Sequence, residues 1–140
     1  LVIGIQVKAG AAKPAILVVD DQPAIRQLLF EALQDDRWEV RLASGAFEAL
    51  QQVACDPPTL AIIDLRLPGM SGLELLREMR KLEYRGEVLV LSAYSDTDLL
   101  AEARALGASY WLTKPFDLDD LQSLVEEVMF GRQERSELLS

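Results

Sequence analysis

Residues 60–76 read LAIIDLRLPGMSGLELL, and the fold can be argued outward from them. Leu60–Ile63 is an unbroken apolar run without polar alternation, which suits a strand buried on both faces of a parallel sheet. The run stops at Asp64. Pro68-Gly69 then turns the chain, and Ser71-x-x-Glu74 reads as a capping box opening a helix. Beyond it Leu73, Leu75, Leu76 and Met79 recur at helical spacing and form one apolar stripe. Buried strand, loop and amphipathic helix in succession are the unit from which parallel α/β sheets are built.

The same unit recurs on either side. Ile16–Val19 and Val88–Leu91 are similar buried runs, Tyr110–Leu112 is a weaker one, and Glu39–Leu42 alternates as an edge strand does. Helical stripes lie between them: Ile25, Leu28, Leu29, Ala32 and Leu33 in the first helix, and Leu99, Leu100, Ala103 and Leu106 in the fourth. Leu118, Leu121, Leu124, Val125 and Val128 form the last. Pro23 suits a first helical turn, Asp117 a helix cap, and Gly107 a helix end. Five strand–helix repeats from about Ala15 to Phe130 predict a doubly wound α/β fold: five parallel strands with five helices, joined by right-handed crossovers. Residues 1–13 read as an N-terminal extension, 14–130 as one domain, and 131–140 as a C-terminal tail.

Bulk properties narrow the chemistry. The 140 residues suffice for one domain of ordinary size, and 50% hydrophobic with 26% charged residues is globular composition. No apolar run approaches the roughly 20 residues needed to cross a bilayer. The single Cys55 allows no internal disulfide and fits a reducing compartment, so a cytoplasmic protein is expected. A net charge of −9 opposes the nucleic-acid backbone, so no direct nucleic-acid partner and no membrane partner are expected. With no histidine in the chain, a His base, His metal ligands and a phosphohistidine carrier are all excluded.

The residues that end the buried strands carry the chemistry. The first strand ends in Asp20–Asp21, the third in Asp64, the fourth in Ser92 and the fifth in Thr113–Lys114. Open α/β sheets bind ligands outside the carboxyl ends of their strands, where strand order reverses; in the order 2-1-3-4-5 the first and third strands flank that point. An Asp after a strand is often only a turn or cap residue, and Ser92 or Lys114 alone would mean little. Together they form a constellation. Three carboxylates repel one another, and a hard divalent cation held by oxygen ligands, Mg²⁺, relieves this best. A carboxylate can also attack phosphorus, and phosphoryl transfer demands positioning and charge neutralisation rather than a His base. Lys114 and Mg²⁺ supply positive charge, and Ser92 can donate to a phosphoryl oxygen.

These segments resemble the receiver domains of bacterial two-component response regulators. ILVVDDQPAIR (16–26) is similar to their acidic-pair segment, LAIIDLRLPGMSGLELL to the phosphoacceptor segment, VLVLSAYSD (88–96) to the hydroxyl-switch segment, and GASYWLTKPFDLDDL (107–121) to the Lys-Pro segment. The resemblance implies the flavodoxin-like receiver fold and a phosphoacceptor signalling domain rather than an enzyme acting on other substrates. Such a domain catalyses its own aspartyl phosphorylation and slow dephosphorylation. It makes Asp64 the phosphoacceptor. Asp21, Asp64 and the backbone carbonyl of Arg66 would ligate Mg²⁺, with Asp20 acting mostly through water. Lys114, Ser92 and the Ala93 N–H would bind the phosphoryl group, and the Lys114–Pro115 bond would be cis.

Trp111 stands where the family places a rotating aromatic, commonly Tyr or Phe; here it is either the switch residue or a static interface or core aromatic. The implied partners are a histidine kinase or histidine phosphotransferase, with an output domain or downstream protein unspecified and a homodimer open. Within the family the segments are most similar to single-domain regulators of the sporulation phosphorelay, whose first helix docks on such partners; Ile25 and Leu28 are therefore candidate docking residues. Two other classes fit less well. Mg²⁺-dependent phosphatases with an Asp nucleophile usually carry Asp-x-Asp after the first strand, and pseudo-receivers lose the acceptor, the acidic pair or the Lys.

Overall fold

The computed structural model describes residues 13–139, with side chains as far as Gly131. The strands are β1 (Ala15–Val19), β2 (Glu39–Ala43), β3 (Leu60–Asp64), β4 (Glu87–Ala93) and β5 (Tyr110–Lys114). They form one parallel sheet in the order β2-β1-β3-β4-β5. The helices are α1 (Pro23–Ala32), α2 (Ala46–Cys55), α3 (Gly72–Lys81), α4 (Thr97–Ala105) and α5 (Leu118–Leu139). Chain order thus runs strand, helix five times over, as the periodicity predicts.

The unbroken apolar strands are explained by helices on both faces. Side chains alternate along a strand. Leu17, Val19, Ala61, Ile63, Val88 and Val90 therefore meet Ala49 and Val53 of α2, Leu75, Leu76 and Met79 of α3, and Ala103 of α4. Ile16, Val18, Leu60, Ile62, Leu89 and Leu91 face the other way, against Leu29 of α1 and Leu121, Val125 and Val128 of α5. Each fully buried Leu or Ile contributes about 1.5–3 kcal/mol relative to exposure. At the sheet edge β5 is only partly buried, its residues alternating between half-buried and exposed, and its weaker apolar signal reflects that position.

Local signals act where the sequence places them. Pro23 opens α1. The Ser71 hydroxyl accepts the Glu74 N–H at 3.2 Å, capping α3, while the Glu74 carboxylate meets the Ser71 hydroxyl instead of its backbone N–H. Gly107 adopts φ +97° just past α4, where the Ala108 N–H reaches back to the Ala103 carbonyl at 3.0 Å. That left-handed cap favours glycine. The expected end of the last helix near Phe130 is corrected: α5 runs to Leu139, so most of the segment read as a tail continues the helix. Among the residues whose side chains are described, α5 buries Leu121, Val125, Val128 and Met129. The N-terminal extension, apart from Lys13, lies outside the described residues.

Candidate functional site

Register sets the site. Asp20 follows directly on β1, Asp64 is the last residue of β3, and Ser92 and Ala93 of β4 pair with Thr113 and Lys114 of β5. All therefore reach one rim, the carboxyl end of the sheet. The Lys114 ammonium donates to Asp64 Oδ2 at 2.5 Å, and the Arg66 backbone N–H donates to Asp64 Oδ1 at 2.9 Å. Lys114 is followed by a cis bond to Pro115. Packing holds the end of β3 in place: a Cβ on Gly72 would lie 2.7 Å from the Leu65 Cα and closer still to the Asp64 carbonyl, so α3 starts hard against that backbone.

Asp20 is 1% exposed. Its Oδ1 accepts the Gln22 N–H at 2.9 Å, its backbone N–H donates to the Ala43 carbonyl at 3.2 Å, and its carbonyl accepts from Arg26 Nη1 at 2.7 Å. Its Oδ2 is buried with no hydrogen-bond partner. Burial pushes the Asp20 carboxyl above its ordinary value, the Gln22 N–H opposes that, and the Asp64 charge adds to it. A buried, unpartnered anionic oxygen beside a second carboxylate is a donor set that suits a hard cation. Among the described residues no three acidic side chains converge closely enough to enclose a metal by themselves. The close three-carboxylate packing expected of Asp20, Asp21 and Asp64 is thus not formed in this arrangement. Asp21 is exposed at the mouth of the site, and Ser92 is buried at the end of β4.

The structure adds a residue that the sequence reading passed over. Asp96, buried in the β4–α4 loop, takes the Arg66 guanidinium on Oδ1, with Arg66 Nε at 2.8 Å, and accepts the Ala93 N–H on Oδ2 at 2.8 Å. The Arg66 guanidinium, helped by the Ala93 N–H, holds the Asp96 carboxyl below the usual carboxylate range against the opposing effect of burial. In sequence Asp96 looks like an ordinary helix cap; only the fold brings it to Arg66.

Other expected residues lie further out. Trp111 is 38% exposed on β5, with the Arg104 guanidinium of α4 over its ring at 4.5 Å from the centroid. Its register partner is Val90, two residues before Ser92, so in this arrangement it is a surface aromatic beneath α4 and is not grouped with the carboxylates. On α1, Ile25 packs partly against the core, whereas Leu28 is 45% exposed. Trp38 donates from Nε1 to the Leu33 carbonyl at 2.8 Å, beside the start of β2 and away from the acidic rim.

The response regulator receiver domain profile matches residues 16–126. The chain is 34% identical over 114 residues to sporulation initiation phosphotransferase F of Bacillus subtilis, covering 81% of this chain and 92% of that one. It is 34% identical over 122 residues to the DNA-binding transcriptional regulator NtrC of Escherichia coli, covering 87% of this chain but only 26% of that protein. Among solved structures, chemotaxis protein CheY4 of Vibrio cholerae superposes with a TM-score of 0.75 at 31% identity, covering 84% of this chain and 99% of that one. Receiver domains are signalling domains that accept phosphoryl groups, bind Mg²⁺ and interact with histidine kinases or phosphotransferases. A profile over residues 16–126 and a superposition covering 84% of the chain lead to the same place: the chain belongs to the response-regulator receiver family.

Proposed function

We infer that Asp64 accepts a phosphoryl group from a phosphohistidine on a kinase or phosphotransferase. The observation that carries this reading is the contact between Lys114 Nζ and Asp64 Oδ2 at 2.5 Å, beside the unpartnered Oδ2 of Asp20. Attack by an Asp64 carboxylate oxygen forms the new P–O bond as the P–N bond to the donor imidazole breaks, and the bonding pair leaves on that nitrogen. Lys114 then moves its charge from the carboxylate to the phosphoryl oxygens, which Ser92 and the Ala93 N–H also reach. Asp21, Asp64 and the Arg66 carbonyl, with Asp20 through water, would hold Mg²⁺, which would supply positive charge to the phosphoryl oxygens.

The rest of the reading follows from this role. Residues 14–130 form the functional unit, in the cytoplasm, where its kinase partners phosphorylate it. No helix of the described residues is long and apolar enough to cross a membrane. Half-exposed Leu28, with Ile25 at its side, offers an apolar docking point on α1. Incubation with Mg²⁺ and acetyl phosphate should add one phosphate per chain, detected by intact-protein mass spectrometry. The Asp64→Asn variant should take up none; equal labelling of that variant would sink the assignment.

A further inference from the structure

Asp96 takes no part in the phosphoacceptor reading, yet its side chain is 0% exposed and both oxygens are occupied. It stands at the N-cap of α4 but makes no side-chain capping bond there. Its carboxylate turns back instead, to the Ala93 N–H and the Arg66 guanidinium. Ala93 N–H is the donor that a phosphoryl oxygen on Asp64 would need. Arg66 lies two residues beyond Asp64, and its own N–H already bonds Asp64 Oδ1 at 2.9 Å.

We propose that Asp96 is a built-in anionic placeholder for the phosphoryl group, occupying the Ala93 N–H and Arg66 until a phosphoryl oxygen takes the N–H from it. The proposal rests on Asp64 being the acceptor. A single N–H does not serve a buried carboxylate and a phosphoryl oxygen equally well, so the two arrangements exclude each other. Both are well paired. In the first, Asp96 neutralises Arg66 and satisfies Ala93. In the second, the phosphoryl group takes Ala93 and draws Arg66, while Asp96 turns toward the free N–H groups of the first turn of α4, where a carboxylate is favoured. Two discrete pairings of one loop make a bistable element, and the charge on Asp64 biases it. The exchange re-lays residues 94–96 and the start of α4, carrying Tyr94, which is 89% exposed, with them. It also makes the unmodified protein hold phosphoryl oxygens less tightly than its donors alone would allow.

The test uses the whole chain with Mg²⁺ and beryllofluoride, a mimic of the aspartyl phosphate, followed by NMR of the Ala93 amide and the Asp96 carboxyl carbon. In the wild type both resonances should move together on titration. Asp96→Ala, which has nothing to displace, should bind about tenfold more tightly, and Asp96→Asn, which keeps the shape, should fall between. If the wild type binds while the Asp96 resonance stays fixed, or if both variants bind no more tightly than the wild type, the placeholder is overturned and the acceptor reading stands. A wild type with no response to beryllofluoride removes the acceptor reading and the placeholder with it. Should Asp96→Ala not fold, Asp96→Asn and the wild-type carboxyl resonance decide.

Discussion

At Asp20 the carboxylate accepts one backbone N–H and buries its second oxygen without a partner, in the field of Asp64. A buried acceptor left unmade costs roughly 1–3 kcal/mol. Asp20→Asn keeps Oδ1 for the Gln22 N–H, replaces the orphaned oxygen with a donor and removes a repelling charge. Without metal this variant should therefore be more stable than the wild type, by about 1 kcal/mol or more in a urea titration. Mg²⁺ should reverse the order, because a ligand that binds only the folded state stabilises it in proportion to its occupancy. If the wild type is the more stable protein in chelator, the orphaned oxygen is not the burden described. This residue was legible in the sequence as an acid ending a buried strand. Its missing partner was not, since only the folded neighbourhood decides which oxygen is served, and here the Gln22 N–H reaches Oδ1 alone.

Elements hold these residues in place. The approach of α3 to the end of β3 leaves no room at Gly72 for a methyl group, which would meet backbone rather than a yielding side chain. Gly72→Ala should destabilise the protein by roughly 1–3 kcal/mol. It should also slow labelling by acetyl phosphate, because the Asp64 backbone must shift; an alanine variant with wild-type melting and labelling would show that α3 does not fix the acceptor. Between α1 and β2 a different device operates. The Arg37 side chain grips Asp35 through Nε at 2.7 Å and Nη2 at 2.6 Å and, with the Arg37 N–H, lowers its carboxyl to about 2. A depressed folded-state value means that this support is present above 3.8 and is lost as pH falls toward about 2. In an NMR titration, Arg37→Ala should return the Asp35 carboxyl toward 3.8. Strand and helix positions could be read from periodicity, since apolar runs without alternation demand helices on both faces. The pairing of Asp96 with Arg66 could not, because it joins residues 30 apart through loops whose local signals are those of ordinary turns and caps.

At the scale of the molecule, the parallel sheet gathers its strand-ending acids on one rim of a chain that already carries a net charge of −9. Composition made the charge plain, and strand order placed part of it. Like charges held together destabilise the compact state, and salt weakens that repulsion: the Debye length falls from about 30 Å at 0.01 M to about 8 Å at 0.15 M. The same screening weakens the surface ion pairs, such as Arg77–Glu102 and Lys81–Glu78, but exposed pairs of this kind are worth little. Net repulsion should win. In chelator, raising sodium chloride over that range should raise the melting temperature, with a gain on the order of 1 kcal/mol appearing as roughly 3–5 °C for a chain of this size. With saturating Mg²⁺ the rim carboxylates are already neutralised, so the same salt step should yield a visibly smaller shift in scanning calorimetry. A melting temperature that falls with salt in chelator would mean that the ion pairs outweigh the acidic rim, and that the metal's contribution must be sought in geometry rather than in relief of charge.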